Sequence, residues 1–461
     1  HECPPHLLWM SPIFPNPPAA ATLLGGMKSP SAEQLVEQIH DSPTRIVLAV
    51  AGGGSRAIAD LLEVPGASRT LLEAVVPYSV PAMTAWQGSL PDGLCSAATG
   101  RAMAMAAFHR ARRYEAEEGS EGRGQGSGSS GRWSVVSGQW AVGSEEWRGE
   151  RGEWRERAPS ALRPPPSAFL PSPNPQIPPS LAGVACTASL ASDRPKRGPH
   201  RIHVALQTVS LTAAWHLQLL KERRSRAEEE RLAGRLLLNA VAEACGVPEW
   251  LSLDLLEGEQ VEESRTGAPS VWQDLLLGQI EVVRIGPAGE SPKVIMPGAF
   301  NPLHDGHRRM MRIAAEMLSQ PVVAEISILN VDKPPLDYIE IERRLAQFPA
   351  DQPVLLSGAA TFEKKSRLFA GATFIVGADT LRRIADPRYC GDDLPACRRG
   401  IEQMAARGCR FLVFGRNLGN GFVRLSDLDL PDALRSICRE VPPEVFREDV
   451  SSTEIRKAGE A

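Results

Sequence analysis

Nowhere do the 461 residues run to the roughly twenty consecutive apolar positions that a membrane-spanning helix needs, which argues against insertion in a bilayer. The sequence also lacks a Cys-x-x-Cys pair or histidines matched to one at ligand spacing. Its eight cysteines (Cys3, Cys95, Cys186, Cys245, Cys390, Cys397, Cys409, Cys438) are scattered, which argues against a structural zinc site and reads as reduced thiols in a reducing compartment. Positive charge is not in excess: 51 Lys and Arg stand against 55 Asp and Glu, for a net charge of -4. A nucleic-acid polymer is therefore not expected as a partner, and small ligands fit better. The first residues carry no charged segment leading into an apolar one, so no secretory signal is read. A cytoplasmic location is expected; an organelle transit peptide stays open because residue 1 is His rather than Met. A homo-oligomer is compatible with the sequence and is not specified by it.

What is present is the composition of a globular protein, 43% hydrophobic and 23% charged, at a length that implies two or three domains. Residues 1–28 read as a tail. From residue 29, RIVLAVAGGGSRAIADLL has the pattern of a buried strand, a glycine turn and a helix, which opens an α/β unit. At about 115–179 the chain turns first to Gly, Ser, Arg and Glu and then to Pro and Ser. Such a segment cannot bury enough apolar area to offset its ordering entropy, and a disordered insertion is expected there. HRIHVALQTVS then reads as a strand. A long helical pattern is expected over about 212–244, with the charged run KERRSRAEEER as its solvated face. Residues 247–292 read as a connector. From 293 to 461 strand, loop and helix alternate, the rhythm of a parallel sheet with covering helices. The expected architecture is two α/β domains, over 29–246 and 293–461, the second a Rossmann-like α/β/α sandwich with a parallel sheet.

The chemistry concentrates in the second of these. A short β-type run ends in PGAFNPLHDGH and is followed by RRMMRIAAEML at helical spacing. His304 and His307, three apart where the loop enters the helix, can face one site beside free backbone N–H groups and the positive helix end. That arrangement suits a triphosphate. Gly298 and Gly306 leave room for close backbone approach and Pro302 stiffens the loop.

GAFNPLHDGH resembles the signature of the nucleotidylyltransferase superfamily, which includes nicotinamide-mononucleotide adenylyltransferases, pantetheine-phosphate adenylyltransferases and cytidylyltransferases. The resemblance implies that His304 and His307 contact the triphosphate and stabilise the transition state. It places Gly298, Ala299, Phe300, Asn301 and Gly306 along the nucleotide, with no covalent intermediate and with Mg²⁺ on the phosphates. VSSTEIRKAG, near the end, resembles the same family's Ile-Ser-Ser-Thr-x-Ile-Arg motif. Ser452 and Thr453 would cap a helix and donate to phosphate, and Arg456 would reach the β- and γ-phosphates as a third catalytic group. ATFIVGADTLRRI resembles the Val-Gly-x-Asp-Thr segment of nicotinamide-mononucleotide adenylyltransferases, which implies Gly377, Asp379 and Thr380 in the acceptor's pocket. RFLVFGR ends a strand at Gly415 and puts Arg416 near the nucleotide. No residue is expected to hold a metal by itself.

The favoured expectation is transfer of an adenylyl group from ATP to nicotinamide mononucleotide, giving NAD and pyrophosphate. ILNVDKPPLDYIEIERRLAQF and ATFEKKSRLFAGATF resemble a plant-type subgroup labelled as cytidylyltransferase or nicotinamide-nucleotide adenylyltransferase. CTP or another nucleoside triphosphate, and another phosphate acceptor, therefore remain alternatives. A nucleotide-binding regulatory protein without turnover is the rival of a different class, and intact His304, His307 and Arg456 speak against it.

In the first domain, LAVAGGGSRAIADLL, VPGAS, VVPYS and MAMAAFHRA resemble the CinA C-terminal domain family of nicotinamide-mononucleotide deamidases. Gly53 stands where that family has its functional serine and Met83 where it has a lysine, while Tyr78 and Ser79 match. A glycine and a methionine supply neither nucleophile nor base, so deamidase activity is expected to be lost. A glycine-rich turn over 52–55 is left that could hold a phosphate at a helix start.

Overall fold

The structure is a computed structural model; it describes residues 29–88, 93–121, 180–194, 196–330, 335–386, 393–417 and 421–447. The first part of the chain forms α1 (Ala32–Asp41), β1 (Arg45–Ala51), α2 (Arg56–Glu63), α3 (Ala67–Thr70), β2 (Leu71–Val75), α4 (Val80–Gln87), α5 (Ala97–Glu121), β3 (Leu181–Ser189), β4 (His200–Thr208), β5 (Leu211–Leu219), α6 (Arg226–Ala244) and β6 (Val261–Gly267). Its six strands lie in the order β2-β1-β3-β4-β5-β6. β1 pairs in parallel with β2 and β3, and the pairs β3–β4, β4–β5 and β5–β6 are antiparallel. Small residues explain how tightly α5 lies on this sheet. A Cβ on Gly183 of β3 would collide with the backbone of Ala104 and Phe108, and Ala104 and Ala107 are buried at the contact.

Three expectations are corrected here. The segment 212–244 is not one helix: β5 occupies its start, pairing with β4 on one side and β6 on the other, and only α6 is helical. LTAAWHLQL is apolar enough to satisfy either period, and Trp215, Leu217 and Leu219 alternate into the core beneath α6. The charged run is not simply solvated. Glu229 is fully buried, accepting from His200 Nδ1 at 2.7 Å and Ala191 N at 2.6 Å, and Arg224 donates to Glu259 at 2.7 Å. Finally, α5 continues through Glu121, past the point where the insertion was expected to begin. Residues 122–179 lie outside the described residues.

The second part forms α7 (Ser270–Leu277), β7 (Val282–Ile285), β8 (Val294–Pro297), α8 (Asp305–Leu318), β9 (Val322–Ser327), α9 (Tyr338–Leu345), β10 (Val354–Ser357), α10 (Phe362–Leu368), β11 (Thr373–Gly377), α11 (Ala378–Ile384), α12 (Leu394–Ala406), β12 (Arg410–Phe414), β13 (Arg416–Asn417), β14 (Phe422–Val423), α13 (Asp432–Arg435) and β15 (Cys438–Glu440). Seven strands lie in the order β15-β12-β11-β8-β9-β10-β7, all parallel except β7. Successive strand residues point to opposite faces. Val294, Met296, Leu412 and Phe414 thus join one core with α8, while Ile295, Phe374, Phe411 and Val413 join another with α11 and α12. This is the expected Rossmann-like α/β/α sandwich. Residues 247–292 contribute to both sheets, β6 to the first and β7 to the second.

The reading of all eight cysteines as reduced thiols fails at Cys397. Cys397 is disulfide-bonded, whereas Cys95, Cys186, Cys245, Cys409 and Cys438 are free. Spacing along the chain carries no information on which thiols meet in space. Among the described residues, no helix is long and apolar enough to cross a membrane.

Candidate functional site

Strand order locates the site before any side chain does. From β8 the chain moves outward through β9 and β10, then returns past β8 to β11 on its other side. The connections after β8 and β11 therefore diverge and leave a crevice at the carboxyl ends of the two strands, where open α/β sheets bind ligands.

The β8–α8 connection lines one wall. Its last residue, His304, is the N-cap of α8, and its backbone carbonyl accepts from His307 N at 2.9 Å and Arg308 N at 3.3 Å. His304 N in turn donates to His307 Nδ1 at 3.3 Å. That bond requires an unprotonated Nδ1, so the neutral His307 ring carries its proton on Nε2, as a donor. The two imidazole centroids lie 3.8 Å apart, and both residues are buried. Burial, then the neighbouring His304 and then the Arg416 guanidinium lower the His307 pKa to about 3. His307 is therefore a neutral donor at physiological pH.

The glycines of the motif make room for the loop's own rings. A Cβ on Gly298 would lie 2.7 Å from the Phe300 ring, and one on Gly306 would lie 3.0 Å from the His304 ring. Phe300 is buried in left-handed backbone, at φ 44, and packs edge-on against His307 and Phe348 with centroids 5.2 Å away in each case. Non-glycine residues hold that conformation only where their surroundings over-determine it. They do so here. Gln347 donates to Phe300 O at 2.9 Å and accepts from Leu303 N at 2.8 Å, Arg344 donates to Ala299 O at 3.0 Å, and Arg343 donates to Asn301 Oδ1 at 2.5 Å. This clamp was not read from the sequence. Its one visible signal was the placement of Arg343 and Arg344 at the end of α9 with Gln347 just past its C-cap, but nothing in the sequence says what they meet.

The opposite wall comes from β11 and β12. Gly377 ends β11, Asp379 and Thr380 lie in the first turn of α11, and Arg416 follows β12. Arg416 Nε is 3.6 Å from Asp379 Oδ1. A Cβ on Gly377 would collide with the Asp379 carboxylate and lie 3.1 Å from Arg416 Nε, so glycine permits that approach. Beneath the β8 loop, Glu325 of β9 is fully buried and receives both bonds of the Lys365 ammonium, at 2.7 and 2.8 Å, together with the Ser357 hydroxyl. The Glu325 carbonyl also accepts from Gly298 N at 2.9 Å, which ties this network to the start of the motif.

The structure thus brings Gly298, Ala299, Phe300, Asn301, His304, Gly306, His307, Gly377, Asp379, Thr380 and Arg416 to one end of the sheet. Ser452, Thr453 and Arg456 lie outside the described residues. Among the described residues, no group of three or more His, Cys, Asp or Glu side chains could hold a metal ion.

Residues 295–458 match the Cytidylyltransferase-like family model. The matched span contains every residue assigned to the transferase motifs, including the VSSTEIR segment. Among solved structures, the chain is similar to competence/damage inducible protein CihA from Agrobacterium tumefaciens, with 14% identity over 47% of this chain and 98% of that one, at a TM-score of 0.27. No curated protein matches the chain.

In the first domain, the turn after β1 is filled from within. A Cβ on Gly53 would lie 2.6 Å from Leu190 Cδ1 and 3.0 Å from Ala188 Cβ, so no side chain fits without displacing its neighbours. Glu230 accepts from Ser55 Oγ at 2.7 Å and Arg56 N at 3.4 Å. A carboxylate thus occupies the start of α2, the place where the glycine turn could have held a phosphate, and it would repel one. Met83 is buried in the core, Tyr78 is exposed, and Ser79 caps α4 by accepting from Ala82 N at 3.2 Å.

Proposed function

We propose that the C-terminal domain transfers an adenylyl group from ATP to nicotinamide mononucleotide, giving NAD and pyrophosphate. The observation that carries this reading is the pairing of His304 and His307 at the start of α8, across the β8/β11 crevice from Asp379 and Arg416. An acceptor phosphate oxygen bonds to the α-phosphorus, the bond from that phosphorus to the bridging oxygen breaks, and the electron pair leaves with pyrophosphate. His307 Nε2–H donates to the phosphate oxygens as charge moves onto the leaving group. A preorganised neutral donor gains strength there without needing to be protonated first. Arg416, and Arg456 from the matched C-terminal segment, balance the negative charge of the phosphates. Mg²⁺ carried on the triphosphate would supply charge neutralisation to its oxygens, and the protein's part is to align and to donate.

The acceptor is assigned from the GADT segment, in which Gly377, Asp379 and Thr380 follow the adenylyltransferase pattern. The matched family's name favours one second reading, cytidylyl transfer from CTP by the same residues to a different phosphate acceptor. Pyrophosphate release from ATP and CTP, each with nicotinamide mononucleotide or with a sugar or alcohol phosphate, tests both. ATP with nicotinamide mononucleotide should be the productive pair. Release from CTP alone moves the assignment to the second reading, and no release from any pair removes both. The N-terminal domain is proposed to have no deamidase activity, since the serine position is a glycine with no room for a side chain.

A further inference from the structure

Helix α9 holds the two domains at once. Its first turn is seated on the N-terminal sheet: Tyr338 is buried, its backbone N–H donates to Thr212 Oγ1 at 3.0 Å, and its hydroxyl donates to Val209 O at 2.6 Å. One turn on, Glu342 accepts from Thr266 Oγ1 of β6 at 2.7 Å. Its last turn carries the clamp on the β8–α8 loop. Two carboxylates join these ends. Asp337 caps α9 by accepting from Glu340 N at 2.9 Å, and its other oxygen accepts from Arg101 Nε of α5 at 3.0 Å, with both side chains nearly buried. Glu340 lies 3.9 Å from Arg101 and accepts from Arg343 at 2.6 Å and Arg344 at 2.8 Å, and Arg344 donates to Ala299 O. Burial works to raise the Glu340 carboxyl, but bonds from Arg343 and Arg344 outweigh it and hold it below its ordinary range.

We infer that the N-terminal domain is the positioning frame of the transferase loop and that Arg101 is a positioning residue for His304 and His307. The inference rests on the nucleotidyl-transfer reading above. An eight-residue helix is a stiff strut of roughly 12 Å at its usual rise, so a shift of its first turn reaches the clamp at its last. Donors that work by alignment lose effect when misplaced by about 1 Å. The domain retained in front of the transferase therefore serves the reaction by contact, with no ligand of its own required.

The full chain tests this with three substitutions. Arg101→Gln removes the charge, and Asp337→Asn keeps the cap of α9 while losing the ion pair. Arg112→Gln is the control: Arg112 also crosses between the domains, donating to Leu276 O at 3.1 Å and Leu277 O at 3.3 Å of α7 rather than to the Asp337 and Glu340 carboxylates. Turnover is expected to fall about tenfold or more in each of the first two, with the acceptor KM within about twofold. The double variant should be no worse than Arg101→Gln alone, because Asp337→Asn breaks a contact that Arg101→Gln has already removed. Hydrogen exchange over residues 298–307 should quicken in the same variants and stay at the wild-type level in Arg112→Gln. Unchanged turnover and exchange in Arg101→Gln overturn the inference, as does equal loosening of the loop in Arg112→Gln. If Arg101→Gln does not fold, Asp337→Asn carries the test. If the unaltered protein turns over no triphosphate, the functional reading fails and the exchange measurement still decides the role of Arg101.

Discussion

The two nitrogens of His307 have separate duties, and amide substitutions divide them. Nδ1 accepts from His304 N at 3.3 Å, which is structural; Nε2–H is the donor that the proposed reaction would use. In His307→Asn the side-chain oxygen falls near the position of Nδ1 and preserves the acceptor, but nothing reaches the position of Nε2. In His307→Gln the amide nitrogen reaches toward Nε2 and the acceptor for His304 N is lost. The cost of each follows from its surroundings. Leaving a buried N–H without a partner costs about 1–3 kcal/mol, so His307→Gln should be the less stable by roughly that amount. His307→Asn loses an edge-on contact with Phe300, about 0.5–1.5 kcal/mol. Loss of one preorganised donor to a developing oxyanion costs about 2.7–4 kcal/mol in the barrier, or turnover lower by roughly a hundred- to a thousandfold. His307→Asn should therefore be the better folded and the less active of the pair. Pyrophosphate formation at saturating substrates, set beside denaturant unfolding, reads both axes. If His307→Asn keeps wild-type turnover, or if activity follows stability across the two variants, His307 is a helix cap and takes no part in the chemistry.

Two further predictions follow from buried groups. His307 has a pKa lowered to about 3 against 6.5 in the unfolded chain, so as pH falls below about 6.5 the unfolded state takes up a proton that the folded state refuses. Stability is then fully present above about pH 6.5 and declines toward pH 3. Replacing His307 by Asn should reduce the slope of unfolding free energy between about pH 6 and 4 by close to one proton, about 1.4 kcal/mol per pH unit, and wild-type turnover should show no His307 ionisation near 6.5. An equal slope in the two proteins would contradict this. Lys365→Met strands the fully buried Glu325 carboxylate with the Ser357 hydroxyl as its remaining side-chain donor and should destabilise the protein by about 3–5 kcal/mol, while Glu325→Leu combined with Lys365→Met should recover most of that loss. Denaturant midpoints check it, and a double variant as unstable as the single one would refute it.

The parts of the site that were legible in the sequence are those made by one short segment. PGAFNPLHDGH contains its own strand end, turn, cap and first helical turn, so the placement of His304 and His307 follows from residues at most ten apart. The GADT turn and Arg416 were legible for the same reason, each following a strand whose apolar run announces it. The glycines were legible as necessary but not in what they make necessary. Gly298 and Gly306 were read as openings for phosphate, and the structure fills them with the rings of Phe300 and His304. A pattern records that a Cβ is excluded; only the packed neighbour shows what excludes it.

Contacts between remote residues left no such trace, and they decide how the loop is held. Gln347 lies 47 residues from the carbonyl it clamps, and Arg101 lies 236 residues from Asp337. The reading of KERRSRAEEER as solvent-facing holds for most of the run and missed Glu229 for this reason. A charge run looks the same whether its carboxylates meet water or, as Glu229 does, a buried histidine and a backbone amide. Buried ionic groups are costly unless partnered, so each one found in this fold marks a place where distant segments had to arrive together. Three such places, Glu325 with Lys365, Asp337 with Arg101 and Glu340 with Arg344, support the first strand and the loop of the transferase motif. On the proposed function the short motif would supply the chemical groups, and these distant pairs hold the strand and loop that carry them.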